Sequence, residues 1–365
     1  MTIFIYAVLI FLVIRFSVTV FNFLSNPKIP RAIKHYTDKV SILIPARNEA
    51  ESIIQLLQSI KDQDYANYEV IVLDDNSSDT TFELADQFSK DNRQFKAVRG
   101  KELPAGWLGK NYACHQLSQI STGKYLLFID ADEIVKRGLI NSLISRMENA
   151  NLSLLSLFTN QQMFTLGEKL TVPLMHFILL NLLPLRLVKF SKNPAFSAAS
   201  GQCMFFNASD YLKNNWHEKV KGRVVEDVEV VKQVKTAGFK AEALLANGLI
   251  YCRMYNNLNE CINGFSKNLL AGFGNNIIIL LLYQLLVIAG PVILILNFNI
   301  NLAVLPITLI VLSRIMISFL SGQNVILNLV LHPLQMIFFL LIAIVSIKKY
   351  LFKTGTWKGR LIKPI

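Results

Sequence analysis

Asp130-Ala131-Asp132 sets two carboxylates two residues apart, directly after an apolar run. Hard oxygen donors in that arrangement suit Mg2+ or Mn2+, ions that bridge protein carboxylates and phosphate. A D-x-D alone is also a common turn, with one Asp shaping the chain and its partner solvated. Asp74-Asp75-Asn76-Ser77-Ser78-Asp79-Thr80 is a second acidic stretch. Adjacent carboxylates at a strand end cost folding energy unless something binds them, and a carboxylate accepts the N–H of a uracil or the hydroxyls of a ribose. Asp79 reads as the N-cap of a helix starting near Thr81, and Ser77 and Ser78 read as turn residues. Glu226-Asp227 is the third acidic site. A carboxylate beside another keeps its proton to higher pH, which suits a general base; the plainer alternative is a helix N-cap followed by a first-turn acid. Gly106-Trp107-Leu108-Gly109-Lys110 supplies a turn and one cation, either for a diphosphate or for an ordinary loop. His115 and His217 have no partners at metal-ligand spacing and read as structural or solvated residues.

The elements that must position these groups alternate between strand and helix. Val40–Ile44 is a short apolar run ending at Pro45, a buried strand. Ile53, Leu56, Leu57 and Ile60 then recur at helical spacing. Glu69–Leu73 is a second buried strand ending at Asp74-Asp75, Phe95–Val98 a third, and Tyr125–Ile129 a fourth ending at Asp130. Strands about 30 residues apart with helices between them predict a parallel sheet with right-handed crossovers. Ligands gather at the carboxyl ends of such strands. Those ends carry Pro45–Glu49, Asp74-Asp75 and Asp130–Asp132. There is no G-x-G-x-x-G and no G-x-x-x-x-G-K-[ST], so a glycine-rich phosphate cradle is not expected.

Composition places this α/β middle in a membrane protein. The chain has 365 residues, 52% hydrophobic and 17% charged, with mean hydropathy +0.40. Soluble proteins carry about 25% charged residues, so a disordered chain, a nucleic-acid-binding arm and an ordinary soluble enzyme are all excluded. Of the net charge of +12, eight basic residues fall after Glu260, and no acid does. Such an excess among apolar runs suits anionic lipid rather than nucleic acid. Ile3–Leu24 is long enough to cross a bilayer of roughly 30 Å, although Arg15 interrupts it. With no basic residue before it and no A-x-A-like site after it, it reads as a retained anchor. Lys28, Arg31 and Lys34 then put the following chain in the cytoplasm. Ile277–Leu296, Leu302–Leu320 and Val325–Ile347 are three further apolar runs, the middle one holding Pro306 and Arg314. Lys348, Lys349, Lys353, Lys358, Arg360 and Lys363 argue for a cytoplasmic end, so one run is expected to be re-entrant or interfacial, the middle one above all. Val172–Phe190 is either a buried helix or an interfacial segment. Cys114, Cys203, Cys252 and Cys261 show no C-x-x-C spacing and read as reduced thiols, neither a disulfide frame nor a zinc site. The expected layout is an anchor at 1–26, an α/β domain at 39–275, membrane helices at 276–347 and a basic tail at 348–365.

Ile44-Pro45-Ala46-Arg47-Asn48-Glu49, Val72–Ser77, Asp130-Ala131-Asp132 and Glu226-Asp227, in this order, resemble the family 2 glycosyltransferases over roughly Val40 to Asn268. Gly106–Lys110, Arg253-Met254-Tyr255 and Trp357-Lys358-Gly359-Arg360 resemble membrane-bound members acting on polyisoprenoid lipids, the diaponeurosporenoate (carotenoid) and hopanoid-associated glycosyltransferases. The resemblance implies an α/β GT-A fold, a Rossmann-like nucleotide-diphospho-sugar transferase domain between N-terminal and C-terminal transmembrane helices. It implies that Pro45, Arg47 and Glu49 border the nucleobase, that Asp74 and Asp75 belong to the donor site with Asp75 on the uracil, and that Lys110 lies near the nucleotide. Asp130 and Asp132 would hold Mg2+ or Mn2+ on the diphosphate, Asp132 most directly, and Asp227 would be the catalytic base. The Q-x-x-R-W of processive members is absent, and the corresponding region reads Cys261–Lys267, which argues for a single sugar transfer. Arg253, Lys267 and Arg360 are candidates for leaving-group charge. The implied partners are a UDP-sugar, a lipid acceptor and the membrane, with no nucleic acid; the oligomeric state is not readable. Alternatives are a ceramide, diacylglycerol or polyprenyl-phosphate glycosyltransferase, a membrane-anchored nucleotide-binding protein without turnover, or a small transporter.

Overall fold

The computed structural model describes residues 2–297, 300–354, 356–357 and 360–361. The chain divides into two compact units. One comprises Lys28–Gln162, Arg186–Arg253 and Trp357–Ile365; the other comprises Met1–Pro27, Met163–Leu185 and Met254–Thr356.

The first unit is an α/β domain. Its strands are Val40–Ala46 (β1), Tyr68–Asp74 (β2), Phe95–Arg99 (β3), Tyr125–Ile129 (β4), Glu133–Val135 (β5), Leu154–Phe158 (β6), Asn160–Gln161 (β7), Cys203–Asn207 (β8), Ala241–Leu245 (β9) and Ile250–Cys252 (β10). A seven-stranded sheet runs β3-β2-β1-β4-β8-β6-β9, and a smaller one runs β5-β10-β7. The four strands expected from the sequence are present, and they are mutually parallel. The wholly parallel sheet is corrected at β8, which runs antiparallel to both β4 and β6. β1 and β4 are buried on both faces, which explains their unbroken apolar runs. The helix Ile53–Lys61 turns Ile53, Leu56, Leu57 and Ile60 onto this sheet's core. At the far edge, Glu242 on β9 is fully buried. Arg146 holds it with two bonds of 2.6 Å, and Arg186 lies at 3.4 Å.

The second unit is helical. Four of its helices are long and apolar enough to cross a membrane: Ile3–Ser25, Ile277–Asn297, Ala303–Ser321 and His332–Leu351. The middle run of the sequence forms one uninterrupted helix, Ile300–Ser321, with Pro306 inside it; that shape is against re-entrance, which needs a turn at mid-depth. The third run breaks into Val325–Val330 and His332–Leu351, with Pro333 in the first turn of the second helix, where its missing N–H costs nothing. The expected tail start at 348 is corrected: the last helix runs to Leu351, and Lys349 donates to Asn263 O at 3.1 Å and Ser266 Oγ at 2.9 Å on the helix Leu258–Gly272. Residues 163–185 and 254–275, expected within the α/β domain, pack with the helices. Val172–Phe190 becomes the helices Pro173–Leu182 and Leu187–Phe190, split before Pro184. The first is a buried helix stitched to the N-terminal one: Asn22 donates to Leu180 O and Leu183 O and accepts from Leu185 N–H. Lys358 and Lys363 lie outside the described residues, as do the side chains of Trp357 and Arg360.

Removing one member of a buried ion pair strands the other, at about 3–5 kcal/mol. Glu242→Ala therefore lowers the unfolding free energy by about that amount, and Arg146→Ala/Glu242→Ala costs less than the two single losses added. A double-mutant cycle in denaturant measures it; full additivity refutes the coupling.

Candidate active site

The carboxyl edge of the sheet gathers the acidic stretches. β1 pairs with β2 so that Ala46 faces Asp74, and Asp75 N–H donates back to Ala46 O at 2.8 Å. β4 lies on the other side of β1, with Leu43 opposite Phe128, so Asp130 leaves β4 at the same edge. With neighbouring strands roughly 4.8 Å apart, the Asp74 and Asp130 main chains stand about 10 Å apart across β1. Antiparallel β8 begins where β4 ends, Cys203 opposite Ile129, which brings Gly201 and Gln202 to that edge; Asp130 N–H donates to Gln202 O at 3.2 Å.

The first group of residues lies beyond β1 and β2. Arg47 Nη1 donates to the carbonyls of Asp75 (2.6 Å) and Asn76 (2.7 Å), so it braces the acidic turn through its backbone. Asn48 N–H donates to Ser77 Oγ, Ser78 N–H to Asn48 Oδ1, and Glu49 N–H to Thr81 Oγ1. Asn48 and Asn76 take left-handed backbone with φ of 53° and 55°, a conformation asparagine tolerates. The two segments Pro45–Glu49 and Asp74–Thr81 are thereby one hydrogen-bonded rim. Asp74 is buried; one oxygen accepts Ser77 N–H and Oδ1 has no partner. Asp79 caps as expected, although one residue outside the terminal position, accepting Thr81 N–H at 3.0 Å.

The second group surrounds Lys110. Gly106 turns the chain with φ +80, and Leu108 enters the helix Gly109–Ile120, which carries Lys110 in its first turn. Lys110 Nζ pairs with Asp130 at 2.6 Å, lies 3.7 Å from Glu226 and donates to Gly201 O at 3.3 Å. Burial disfavours the ammonium, but Asp130 and Glu226 outweigh it and raise its pKa above the usual lysine range. Glu226 and Asp227 open the helix Glu226–Thr236 as first-turn acids. Asp227 accepts Gly201 N–H at 2.9 Å and Val228 N–H at 2.8 Å. Desolvation first, then the charge of Glu226, raise its pKa; the two N–H bonds and Lys110 act the other way and do not cancel the rise. A Cβ at Gly201 would sit tightly against Glu226 Oε1 at 3.1 Å and Lys110 Nζ at 3.2 Å, so these side-chain ends would have to shift to admit it. Asn111 on the next helical residue donates to the carbonyls of Val220, Lys221 and Arg223 and so fixes the loop that delivers Glu226-Asp227.

The third group lies under Asp132. Asp132, Glu133 and Cys252 offer ligand atoms all within 4.8 Å of one another. Cys252 faces Glu133 across the β5–β10 pair, and its thiol donates to Asp132 Oδ2 at 3.6 Å. Both Glu133 oxygens are buried without hydrogen-bond partners, and burial followed by the charges of Asp132 and Asp130 raises its pKa well above the carboxylate range. The carboxylates of Asp132 and Glu133, two of whose oxygens are orphaned and buried, are hard donors that fit Mg2+ or Mn2+; the Cys252 thiol, kept protonated by burial, is not a ligand for such an ion. The sequence reading passed over Cys252, Glu133, Gly201 and Asn111. Glu133 was the one within reach, as the residue directly after the D-x-D. The four cysteines are buried, and none is in a disulfide. Arg253 directly follows β10, whereas Lys267 sits on the helix Leu258–Gly272 of the other unit. His217 is buried against Tyr211 Oη at 2.7 Å, and His115 packs on Trp107.

The mixed sheet and the helices around it match the GT-A fold of nucleotide-diphospho-sugar transferases. Residues 41–214, just under half of the chain, match the Glycosyl transferase family 2 model. A 4,4'-diaponeurosporenoate glycosyltransferase of Staphylococcus haemolyticus is 26% identical over 243 residues, 65% of this chain and 62% of the relative. A beta-monoglucosyldiacylglycerol synthase of Trichormus variabilis is 35% identical over 95 residues, 26% of this chain and 20% of the relative. The chain thus covers less than two thirds of the length of either relative. Among solved structures, a mannosyltransferase from Pyrobaculum calidifontis in complex with GDP-Man and Mn2+ shares the fold, with TM-score 0.57, 15% identity and coverage of 98% of this chain and 100% of that one.

Asn111→Ala removes the side-chain donor shared by three carbonyls of the loop before Glu226; Lys221 O keeps the Leu108 N–H and Val220 O the Arg223 N–H, so Arg223 O loses its partner. Backbone amides of the Val220–Val225 stretch then exchange roughly ten- to a hundredfold faster, matching the ~1–3 kcal/mol cost of unmade hydrogen bonds, while β2 amides keep their protection. Hydrogen exchange with mass spectrometry reads both; unchanged loop exchange rules out this role for Asn111.

Proposed function

We propose that the protein is a non-processive, inverting glycosyltransferase that moves one sugar from a UDP-sugar to a membrane lipid, a carotenoid acid or another polyisoprenoid. The observation that carries this reading is the convergence of Asp74-Asp75, Asp130–Asp132 and Glu226-Asp227, with Lys110, on one edge of the sheet. The relatives' names support lipid acceptors of two kinds, a carotenoid acid and a diacylglycerol. The four apolar helices support a membrane location, with the α/β unit on the cytoplasmic side by the positive-inside rule.

In this reading the braced rim receives the nucleobase. Pro45, Arg47 and Glu49 border it, Asp75 accepts the uracil N–H, and Asp74 completes that side of the donor site. Asp132, with Glu133 and Asp130 beside it, would hold Mg2+ or Mn2+, which would supply charge to the diphosphate as it departs. Lys110 adds a fixed cation at the same place, and Arg253 a second. Asp227 holds its carboxylate at a fixed angle through Gly201 and Val228 N–H and takes the proton from the acceptor hydroxyl on the face opposite the leaving group. With a carboxylic acid acceptor, ionised at neutral pH with a pKa of about 4–5, Asp227 orients the nucleophile instead. The domain proposal is one α/β transferase unit interrupted by residues 163–185, with membrane helices before and after it.

UDP release is expected only with lipid and divalent ion together, and Asp132→Ala abolishes both it and the glycosylated lipid in extracts. GDP release from GDP-mannose under the same conditions would overturn the choice of base. Because the Asp227 pKa is raised, turnover on an alcohol acceptor falls as pH drops through that raised value, well above the ordinary aspartate range near ~4. Asp227→Asn then lowers kcat on the alcohol by roughly 10²–10⁴ and removes this acid limb, but costs far less on a carboxylic acid acceptor. Equal losses on both acceptors refute the assignment.

A further inference from the structure

The helical unit has an unsolved charge problem. Arg15 lies in the middle of the N-terminal helix, 5% exposed, and Arg314 lies in the helix Ile300–Ser321, fully buried. The segments of this unit contain two acids, Glu168 and Glu260. Each serves a helix N-terminus: Glu168 accepts from Phe164 and Thr165 N–H, and Glu260 from Asn256 N–H and Asn257. Neither forms an ion pair with Arg15 or Arg314 among the described residues. Arg314 is at least solvated by neutral groups, donating to Gln335 Oε1 and Asn328 O. Arg15 has aromatic rings instead. Its guanidinium stands 5.7 Å from the Phe11 centroid, 5.1 Å from Phe177 and 6.0 Å from Tyr283. Its Nε has no hydrogen-bond partner, nor do the buried Tyr283 hydroxyl and His332 Nδ1. Ring faces offset part of the cost of a buried cation, about 0.5–2 kcal/mol each, but they do not neutralise it. An unpaired charge within a bilayer is expensive and points to a functional partner.

Arg15 and His332 open onto a cavity of about 350 Å³ within this same unit, walled mainly by apolar side chains such as Leu12, Val287, Ile295 and Met336. That volume lies in the range of ligand pockets, roughly 300–1,000 Å³. An apolar cavity with one uncompensated cation at its wall is complementary to an amphiphile with one terminal anion.

We propose that this cavity binds a long-chain lipid acid, its apolar chain among the helices and its terminal carboxylate or phosphate on Arg15, with Tyr283 and His332 as further hydrogen-bond partners. The site stands apart from the sugar-transfer reading: its test requires no turnover, and it holds whether or not the bound acid is the acceptor.

The probes are diazirine-bearing palmitic acid, hexadecyl phosphate and palmitic acid methyl ester, photolysed with the full-length protein in neutral-lipid nanodiscs. Labelling of the palmitate probe is expected on peptides bearing Leu12, Val287–Ile295 or Met336. Unlabelled palmitate or hexadecyl phosphate should compete at least ~10-fold better than the ester, and the two competitors show whether a carboxylate or a phosphate is preferred. Arg15→Gln should lower labelling about 10-fold, and Arg15→Lys should restore part of it. Equal competition by the ester, labelling elsewhere, or full labelling of Arg15→Gln would overturn the proposal. The competition in wild-type protein decides alone if the variant does not fold.

Discussion

The ammonium of Lys110 is the interaction on which the α/β edge depends. Asp130, Asp132, Glu133, Glu226 and Asp227 all arrive at the end of β4 and the start of β8. Two like charges about 4–6 Å apart repel by roughly 3–4 kcal/mol at an effective dielectric near 20, so several such pairs would open the edge. Lys110 meets Asp130 at 2.6 Å and Glu226 at 3.7 Å, with Gly201 packed closely beside both side-chain ends. The helix Gly109–Ile120 supplies the lysine from its first turn, and Asn111 one residue later ties that helix to the loop carrying the second pair of acids. One cation thus ties together two acidic segments, Asp130–Glu133 and Glu226-Asp227.

That geometry also separates the carboxylates by environment. Asp130 is paired with an ammonium. Glu133 is sunk below it, with no hydrogen bonds and a pKa raised by burial. Asp227 is half-buried, clasped by two backbone N–H groups yet raised by desolvation and by Glu226. Neighbouring acids driven to different protonation behaviour can take different chemical roles, one as a charge and another as a base. No single acidic motif would achieve this. The difference arises from which backbone and which cation each one meets.

Much of this was legible in the sequence, and the boundary of legibility has a physical cause. β1, β2 and β4 are buried on both faces, so they appear as apolar runs closed by Pro45, Asp74 and Asp130, and their parallel pairing follows from the helices between them. β8 and β6 have equally apolar sequences, Cys203–Asn207 and Leu154–Phe158, but nothing local fixes the direction of a strand, and β8 runs antiparallel. The acids were visible because acids at strand ends are costly. Gly201 and Cys252 were not, because their meaning lies in partners 91 and 120 residues away in the chain. Lys110 read as a loop cation facing a diphosphate; its internal pairing with Asp130 needs the fold. The segment Val172–Phe190 was ambiguous because its apolar residues suit a buried helix and an interfacial segment alike, and the bonds of Asn22 to Leu180, Leu183 and Leu185 favour the buried helix for its first part.

The two units resolve charge in opposite ways, and the contrast is informative. At the α/β edge acids outnumber the half-buried Lys110, a surplus that a divalent ion would complete. In the helical unit the surplus is positive: Arg15 and Arg314 are buried, and the acids of that unit are spent on helix ends. An arginine facing lipid at a helix end could extend its head to water, but Arg15 is held inside against Phe11, Phe177 and Tyr283. Packing alone does not call for a guanidinium there, since an apolar side chain of similar volume would fill the same space without the desolvation cost. A buried cation without a protein counter-charge is therefore better understood as half of a pair, the other half entering with a lipid.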